Sequence, residues 1–393
     1  MPTGVSLEKW SVIACDQFSS ERDYWERVNA YVGGEPSTLR LIIPEVYLDE
    51  PVTERENGII NAMEEYTAGG IFTQYKDSFV YVERTLQDGS VRHGLIGAVD
   101  LDDYEFSGEK AAIVASEGTV RERLPVRIGI RRRAAVELPH IMSFIDDSEK
   151  TVIEPLAMIA DTLPLLYDFD LMEGGGRVRG RLVSGKDAEQ AVDALQRLYD
   201  SNDTLIVIGD GNHSLAAAKV FWDELKQGLS ETERRDHPAG KALLEINNVY
   251  EDSIVFEAIH RMIFGVDAAC FINELKAAMP EGNDYYIKWY SRGDSGDVGV
   301  SASCIGDALS SLGAFLDEYT DLNACGIDYV HGEETVKRLS QDENRVGLIL
   351  PAMEKSELFG TVTSKGVFPK KSFSVGRAKD KRYYLECRRV KQR

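Results

Sequence analysis

The hydrophobic pattern along the chain changes period several times, and each change predicts an element. Ser11 to Cys15 is a short apolar run that predicts a buried strand, ended by Asp16-Gln17-Phe18-Ser19-Ser20. Ser20 can cap a following helix whose first turn carries Glu21 and Asp23, where the helix dipole favours anions. Thr38 to Ile43 predicts another strand stopped by Pro44, and Gly58 to Tyr66 a helix. From Gly70 to about Ile145 the runs shorten to strand length: Ile71 to Tyr75, Phe79 to Thr85, His93 to Asp100, Ala111 to Ala115 and His140 to Ile145. Gln87-Asp88-Gly89-Ser90 is a hairpin signal between two of them.

Helical spacing returns at Ile153 to Leu163 and again at Asp187 to Tyr199, where Val192, Leu195 and Tyr199 share a face; Leu165 to Phe169 predicts a strand between them. Thr204-Leu205-Ile206-Val207-Ile208 is a β-branched run suited to a central strand. After Gly209–Ser214, Leu215, Ala218, Trp222 and Leu225 recur at helical spacing. Strands and helices then alternate: strands at Leu243 to Val249, Asp284 to Trp289, Ile327 to His331 and Val346 to Leu350, with helices at Ala268 to Ala278, Leu312 to Tyr319 and Glu333 to Leu339. The expectation is a mixed α/β (α+β) fold.

Composition narrows the class. With 43% hydrophobic and 28% charged residues, the 393-residue chain has the balance of a globular enzyme-sized protein and not of a disordered one. The net charge of −21 repels nucleic acid and anionic membranes unless a local patch overrides it. Lys365 to Arg393 is such a patch: eleven Lys or Arg against Asp380 and Glu386 make it +9, leaving −30 on residues 1–364. A basic strand pairing with an acidic body is favoured over a nucleic-acid arm, because Phe373, Tyr383, Tyr384 and Leu385 belong in folded strands. The five cysteines are scattered, with neither CxxC pair nor zinc spacing, as free thiols in a reducing compartment would be. No apolar stretch reaches the roughly 18–20 residues that span a bilayer. The expected setting is cytoplasmic, away from membranes, with a small-molecule substrate; nucleic acid is an unlikely partner and homo-oligomers are left open.

The segment Gly209-Asp210-Gly211-Asn212-His213-Ser214 joins the end of a buried strand to the start of a helix. A glycine there allows positive φ and close backbone approach, and the helix start offers unpaired N–H groups and the positive end of its dipole. Asp210 and His213 add a carboxylate and a proton carrier; an Asp-Gly turn with a capping histidine is the plain alternative. Glu117, Thr119 and Arg121, followed by Arg127, Arg131, Arg132 and Arg133, can clamp phosphate or form a solvated face. His260-Arg261 can bind an anion at a strand end or serve structure alone. Glu137 and His140 lack zincin spacing. A GxxxxGK[ST] loop, a GxGxxG fingerprint and a GxSxG elbow are all missing.

Four segments in order, Lys9 to Ser20, Val136 to Ile141, Gly209 to Lys219 and Lys371 to Gly376, resemble the family DUF1015. The Asp210-Gly211-x-His213 loop is also similar to the phosphate-binding motif of the ParB/sulfiredoxin-like superfamily, which includes kinases of free serine. Some family members read DGHHR at this loop; here Asn212 and Ser214 replace the first histidine and the arginine. The resemblance implies a ParB/sulfiredoxin-like core divided into 1–69 (N-terminal part of the core), 70–186 (strand-rich insertion) and 187–393 (C-terminal α/β part with a basic strand pair). It implies ATP or ADP with Mg2+, Asp210 holding the metal and His213 with the loop amides holding the transferring phosphate. Asp16 would be the base that accepts the hydroxyl proton. Gly209, Gly211, Asn212, Ser214, Glu117, Thr119, Arg121, His260 and Arg261 complete the expected phosphate and nucleotide contacts. A magnesium-dependent kinase of a free hydroxyl compound, serine first, leads over a non-catalytic nucleotide-binding regulator, a nucleic-acid-associated protein and a phosphatase.

Overall fold

In a computed structural model, which describes residues 1–47, 50, 52–119 and 124–392, the chain is mixed α/β and built on two sheets. The larger has nine strands in the order Tyr104–Glu105, Ile113–Ala115, Ile206–Asp210, Met142–Ile145, Lys241–Asn248, Val91–Asp100, Ser78–Thr85, Arg177–Ser184 and Leu165–Asp170. Ile206–Asp210 lies inside it, parallel to Ile113–Ala115 and antiparallel to Met142–Ile145, which suits a β-branched run that must be covered on both faces. The smaller sheet runs Asp294–Val300, Glu281–Ser291, Arg345–Ile349, Phe256–Phe264, Gly326–His331, and Phe373–Val375 pairs with the first residues of Phe256–Phe264.

One hydrophobic cluster joins the sheets, uniting Val114, Met142, Phe144 and Val207 of the first with Phe256, Ile263, Val346 and Leu348 of the second. Phe144, Phe256, Phe373 and Phe368 form its spine, with successive ring centroids 5.5, 5.3 and 5.5 Å apart and near-perpendicular or steeply tilted planes. The strands between residues 70 and 186 do not form a unit of their own, because Val91–Asp100 pairs with Lys241–Asn248. The expected boundary at 186–187 therefore falls inside one sheet.

Several predicted elements differ, each for a local reason. Thr38–Leu41 is a turn of 3₁₀ helix: the Ser37 side chain accepts the Leu39 N–H, and Thr38 Oγ1 donates to Trp10 O at 2.7 Å, so side chains take the place of a ladder. Ile71 to Tyr75 contributes a single bridge, Phe72 to Pro2, and Ser11 to Cys15 a single bridge, Ile13 to Arg382. Leu124–Arg133 is a helix, so Arg127 to Arg133 line a helix and not a strand. The strand Arg177–Ser184 escapes the pattern because Arg177, Arg179 and Arg181 alternate with Gly180, over which the Tyr167 ring packs. The two basic strands near the C-terminus do not pair with each other: Phe373–Val375 joins the smaller sheet, and Arg388–Arg389 pairs with Val136–Glu137.

The segments near the two ends of the sequence meet. Ala14 donates its N–H to Lys381 O at 2.8 Å, Tyr383 donates its N–H to Val12 O at 2.9 Å, and the Ser11 hydroxyl donates to Tyr383 O. Tyr384 and Leu385 are fully buried beneath this crossing, in the cluster that also holds Trp10 and Tyr167. None of the helices, among the described residues, is long and apolar enough to cross a membrane.

Candidate active site at the end of the central strand

The strand Ile206–Asp210 stops because Gly211 takes a left-handed conformation, φ +83° and ψ 17°, and opens the 14-residue helix Asn212–Leu225. A Cβ at residue 211 would stand 2.5 Å from His140 O and 3.0 Å from Ile141 Cα. Glycine is thus required twice, by its φ and by a backbone packed against it. The helix then buries Leu215, Ala216, Ala217, Ala218, Phe221 and Trp222. No side chain caps its start. The partial positive charge of a helix start is therefore presented at the rim of the sheet with no built-in anion on its cap position.

Asp210 is the last residue of the strand. Its Oδ1 accepts the Gly211 N–H at 2.9 Å, which fixes the carboxylate across the turn. Its Oδ2 lies 3.0 Å from Lys381 Nζ and 3.4 Å from His140 Nε2. Both are ion-pair distances without hydrogen-bond alignment, so Oδ2 and His140 Nε2 are buried with no hydrogen-bond partner. His140 donates from Nδ1 to Arg382 O at 2.8 Å, which fixes its ring and leaves Nε2 turned to Asp210. Burial alone would push the Asp210 pKa up, but Lys381 and His140 outweigh it and hold the carboxyl well below the usual range. Lys381 is held above its ordinary value although burial opposes its charge, because Asp210 and then Asp16 and Glu117 favour the ammonium.

A second wall carries Ser116 to Thr119. Ser116 N–H donates to Ile208 O at 3.2 Å, Phe368 N–H to Ser116 O at 2.7 Å, and Asn212 Nδ2 reaches Ser116 Oγ at 3.4 Å. Asn212 Oδ1 is buried without a partner. The Glu117 carboxylate accepts the N–H groups of Lys371, Ser372 and Phe373 at 3.2, 3.0 and 3.4 Å. Burial raises its pKa against these bonds. Lys371 is exposed and has φ +60°, a left-handed backbone that this carboxylate holds in place.

The structure gathers some expected residues and separates others. Gly209, Asp210, Gly211, Asn212, His213 and Ser214 form the junction, with His213 half-buried and Ser214 exposed. Asp16 is exposed, accepts from the Gln17 side chain at 2.9 Å, and acts on Lys381. Glu117 and Thr119 lie on the second wall, but the Glu117 carboxylate faces backbone donors of the chain itself. Arg121 lies outside the described residues. His260 and Arg261 are mid-strand and buried in the smaller sheet: His260 Nδ1 accepts the Leu350 N–H at 3.2 Å, and Arg261 donates to Ile259 O at 2.6 Å and stacks over Tyr329. Burial lowers the pKa of both. The arginines of Leu124–Arg133 engage Glu45, Glu137 and Glu224. Sequence reasoning missed Lys381 and the partnering of His140. The signal was present in the basic tail and in the Pro139-His140 motif, but nothing in one sequence shows that residues 140, 210 and 381 meet.

For magnesium, the donor set is a poor match. Asp210 is flanked by a lysine and a histidine, and no group of three or more His, Cys, Asp or Glu is gathered as a metal site among the described residues. An open cavity of about 630 Å³ lies elsewhere, lined by Asp284, Ser301, Ser303, Asp307 and Ser310. Its carboxylates are engaged, Asp284 by Ser301 and Ala302 and Asp307 by Ser303 and Lys365. The junction at Asp210, whose buried Oδ2 is ion-paired but lacks an aligned hydrogen bond, is the better candidate.

Among solved structures the chain is similar to a conserved hypothetical protein from Pyrococcus furiosus, at 13% identity over 72% of this chain and 90% of that one, TM-score 0.37. It is similar to C-terminally truncated SbnI from Staphylococcus aureus, at 10% identity over 72% and 82%, TM-score 0.39. A free serine kinase in complex with AMP matches at 12% identity over 73% and 90%, TM-score 0.40. No curated protein matches the chain. The model of one family, described as protein of unknown function (DUF1015), matches residues 3–376, and the chain belongs to that family.

Proposed function

We propose that this protein binds the phosphate of a nucleotide at the start of helix Asn212–Leu225 and transfers a phosphoryl group to the hydroxyl of a small molecule. The observation that carries the reading is the junction itself: a glycine forced into φ +83° opens an uncapped helix at the rim of the sheet, beside a lysine ammonium and an imidazole. Phosphoryl transfer asks for positioning and neutralisation of charge more than for covalent chemistry, and a helix start with neighbouring donors supplies both. The amides of Asn212 and His213 would hold phosphate oxygens, with the His213 side chain as a further donor. Asp16 is the exposed carboxylate nearest in role to a base. It would take the acceptor's hydroxyl proton as that oxygen attacks phosphorus and the bond to the departing nucleotide breaks. Magnesium would enter with the nucleotide, since Asp210 is committed to Lys381 and His140.

Serine is the acceptor to test first, as the resemblance of the loop implies. The engaged basic tail argues for a small-molecule substrate over nucleic acid: Lys381 and Arg382 are buried, and Arg388 pairs with Glu137 at 3.2 Å. Cytoplasmic placement remains part of this proposal. Burial pushes the Cys15 thiol, next to Asp16, up to about 11, which disfavours thiolate chemistry beside the site.

The test is phosphorus NMR of the protein with magnesium and ATP or ADP, with and without serine. A phosphomonoester signal that needs serine and vanishes in His213→Ala establishes the kinase. Nucleotide binding without acceptor-dependent turnover would establish instead a non-catalytic nucleotide-binding protein. That second reading is favoured by the Asp210 carboxylate, which is already engaged by Lys381 and His140.

A further inference from the structure

We infer that Lys381 is the residue that grips the bound phosphate, and that Asp210 is its keeper, holding the ammonium beside the helix start until a phosphate takes it over. This rests on the phosphate-binding reading of the loop and assigns that site its principal cation.

Three observations support the assignment. First, the stem of Lys381 is fixed from several sides: its carbonyl accepts the Ala14 N–H at 2.8 Å, its own N–H reaches Ala378 O at 3.3 Å, and the next carbonyl accepts from His140 at 2.8 Å. A side chain on so fixed a backbone, only 9% exposed, has few places to put its ammonium. Secondly, that ammonium stands 3.0 Å from the carboxylate of the residue immediately before Gly211. A phosphate seated on the amides of residues 212 and 213 falls within a short swing of the lysine. Thirdly, the resting pair is left incomplete. Asp210 Oδ2 and His140 Nε2 are both buried without a hydrogen-bond partner, and His140 is only 7% exposed. Buried polar groups in a permanent strut are normally satisfied, and a pair of buried charges needs good geometry to offset its desolvation.

Asp16 and Glu117 also act on Lys381, so its charge persists before any ligand arrives. Glu117 already has three backbone donors, which leaves Asp210 as the competitor that a phosphate must displace. The exchange is ionic: the ammonium keeps its proton and trades one oxyanion for another.

The experiment is titration of the full-length protein with inorganic phosphate by calorimetry, beside thermal melting of every variant. Asp210→Asn keeps the shape and the oxygen that accepts the Gly211 N–H, but removes the competing charge; phosphate should bind at least threefold tighter. Lys381→Met should bind at least tenfold weaker, and Lys381→Arg should stay within about threefold of the wild type. Unchanged or weaker binding in Asp210→Asn overturns the assignment even if Lys381→Met fails to fold. If both charge-removing variants melt lower with unchanged phosphate affinity, Lys381 is a structural strut, and the loop reading stands without it. A wild type that binds neither phosphate nor pyrophosphate overturns the loop reading together with this one.

Discussion

Replacing Gly211 by alanine should damage the junction, and the size of the loss can be worked from two separate contributions. The left-handed φ of +83° costs an alanine about 1–2 kcal/mol. The added Cβ would lie 2.5 Å from His140 O and 3.0 Å from Ile141 Cα, and both of those atoms are backbone. Those backbone atoms cannot step aside as a side-chain tip can, because the Tyr384 hydroxyl donates to Ile141 O at 2.6 Å and His140 Nδ1 is bonded to Arg382 O. Forcing a methyl into such a place costs about 1–3 kcal/mol. The expected loss is therefore about 2–5 kcal/mol.

Gly89 supplies the control. Its φ is +86°, yet a Cβ there meets nothing within 4 Å, so Gly89→Ala isolates the dihedral contribution. Urea unfolding followed by circular dichroism, taken on the first transition, gives both numbers. Phosphate titration of Gly211→Ala should also show weakened binding, because the strand end and helix start must separate to admit the methyl. If Gly211→Ala lies within about 0.5 kcal/mol of Gly89→Ala, the close approach to His140 contributes nothing and the argument for the shape of the junction fails.

Other outcomes follow from the same geometry. Asp16→Asn should lower the rate of phosphoryl transfer by at least about 100-fold with nucleotide affinity unchanged; an equal loss in binding would remove Asp16 from the role of base. Because the Asp210 carboxyl is held below its ordinary value in the folded protein, it adds stability that is present above the unfolded value of about 3.9 and is lost as pH falls from there towards the folded one. The stability difference between wild type and Asp210→Asn should thus be level above about pH 5 and shrink below pH 4; a level difference down to pH 3 refutes the Lys381 and His140 cage. Tyr384→Phe removes a buried hydroxyl that donates to Ile141 O and accepts the Ile141 N–H at 3.2 Å, and should cost about 1–3 kcal/mol in the same urea experiment. A loss below about 0.5 kcal/mol would show that Ile141 finds other partners.

Local pattern carried the central strand and its loop. Thr204 to Ile208 is continuous and β-branched, Asp210-Gly211 breaks it, and Leu215, Ala218 and Trp222 restart at helical spacing, so strand, loop and helix were all legible from residues close in sequence. Glu333–Leu339 was legible for the same reason. Where side chains bond their own backbone neighbours, as at Ser37 and Thr38, a β-type composition misled. Where arginines face acids across a strand pair, as Arg177 and Arg179 face Asp168, the alternation was hidden beneath charge. The site was half legible. Residues 209–214 form one motif, whereas Lys381 looks like any lysine of a basic tail until the fold brings it to Asp210, and the three amides that engage Glu117 belong to a segment more than 250 positions away.

The crossing of residues 11–14 with 381–383 has a kinetic meaning as well as an architectural one. The Ser11–Tyr383 contact spans 372 positions, and closing a loop of that length costs on the order of 5 kcal/mol in chain entropy before any contact rewards it. Such a closure is expected late in folding, after the sheets have shortened the effective path between the ends. The 381–386 segment is held by burial more than by ladder bonds: regular pairing there is confined to the bridge of Arg382 to Ile13 and the two residues Arg388–Arg389, whereas Lys381 to Glu386 are all buried. Withdrawing the Lys381 ammonium therefore means uncovering Tyr384 and Leu385 as well, so the site opens only together with the cluster beneath it. The Tyr383 N–H, bonded to Val12 O, should therefore be protected from exchange along with that cluster; exchange far faster than at Val207 would show that the crossing opens alone.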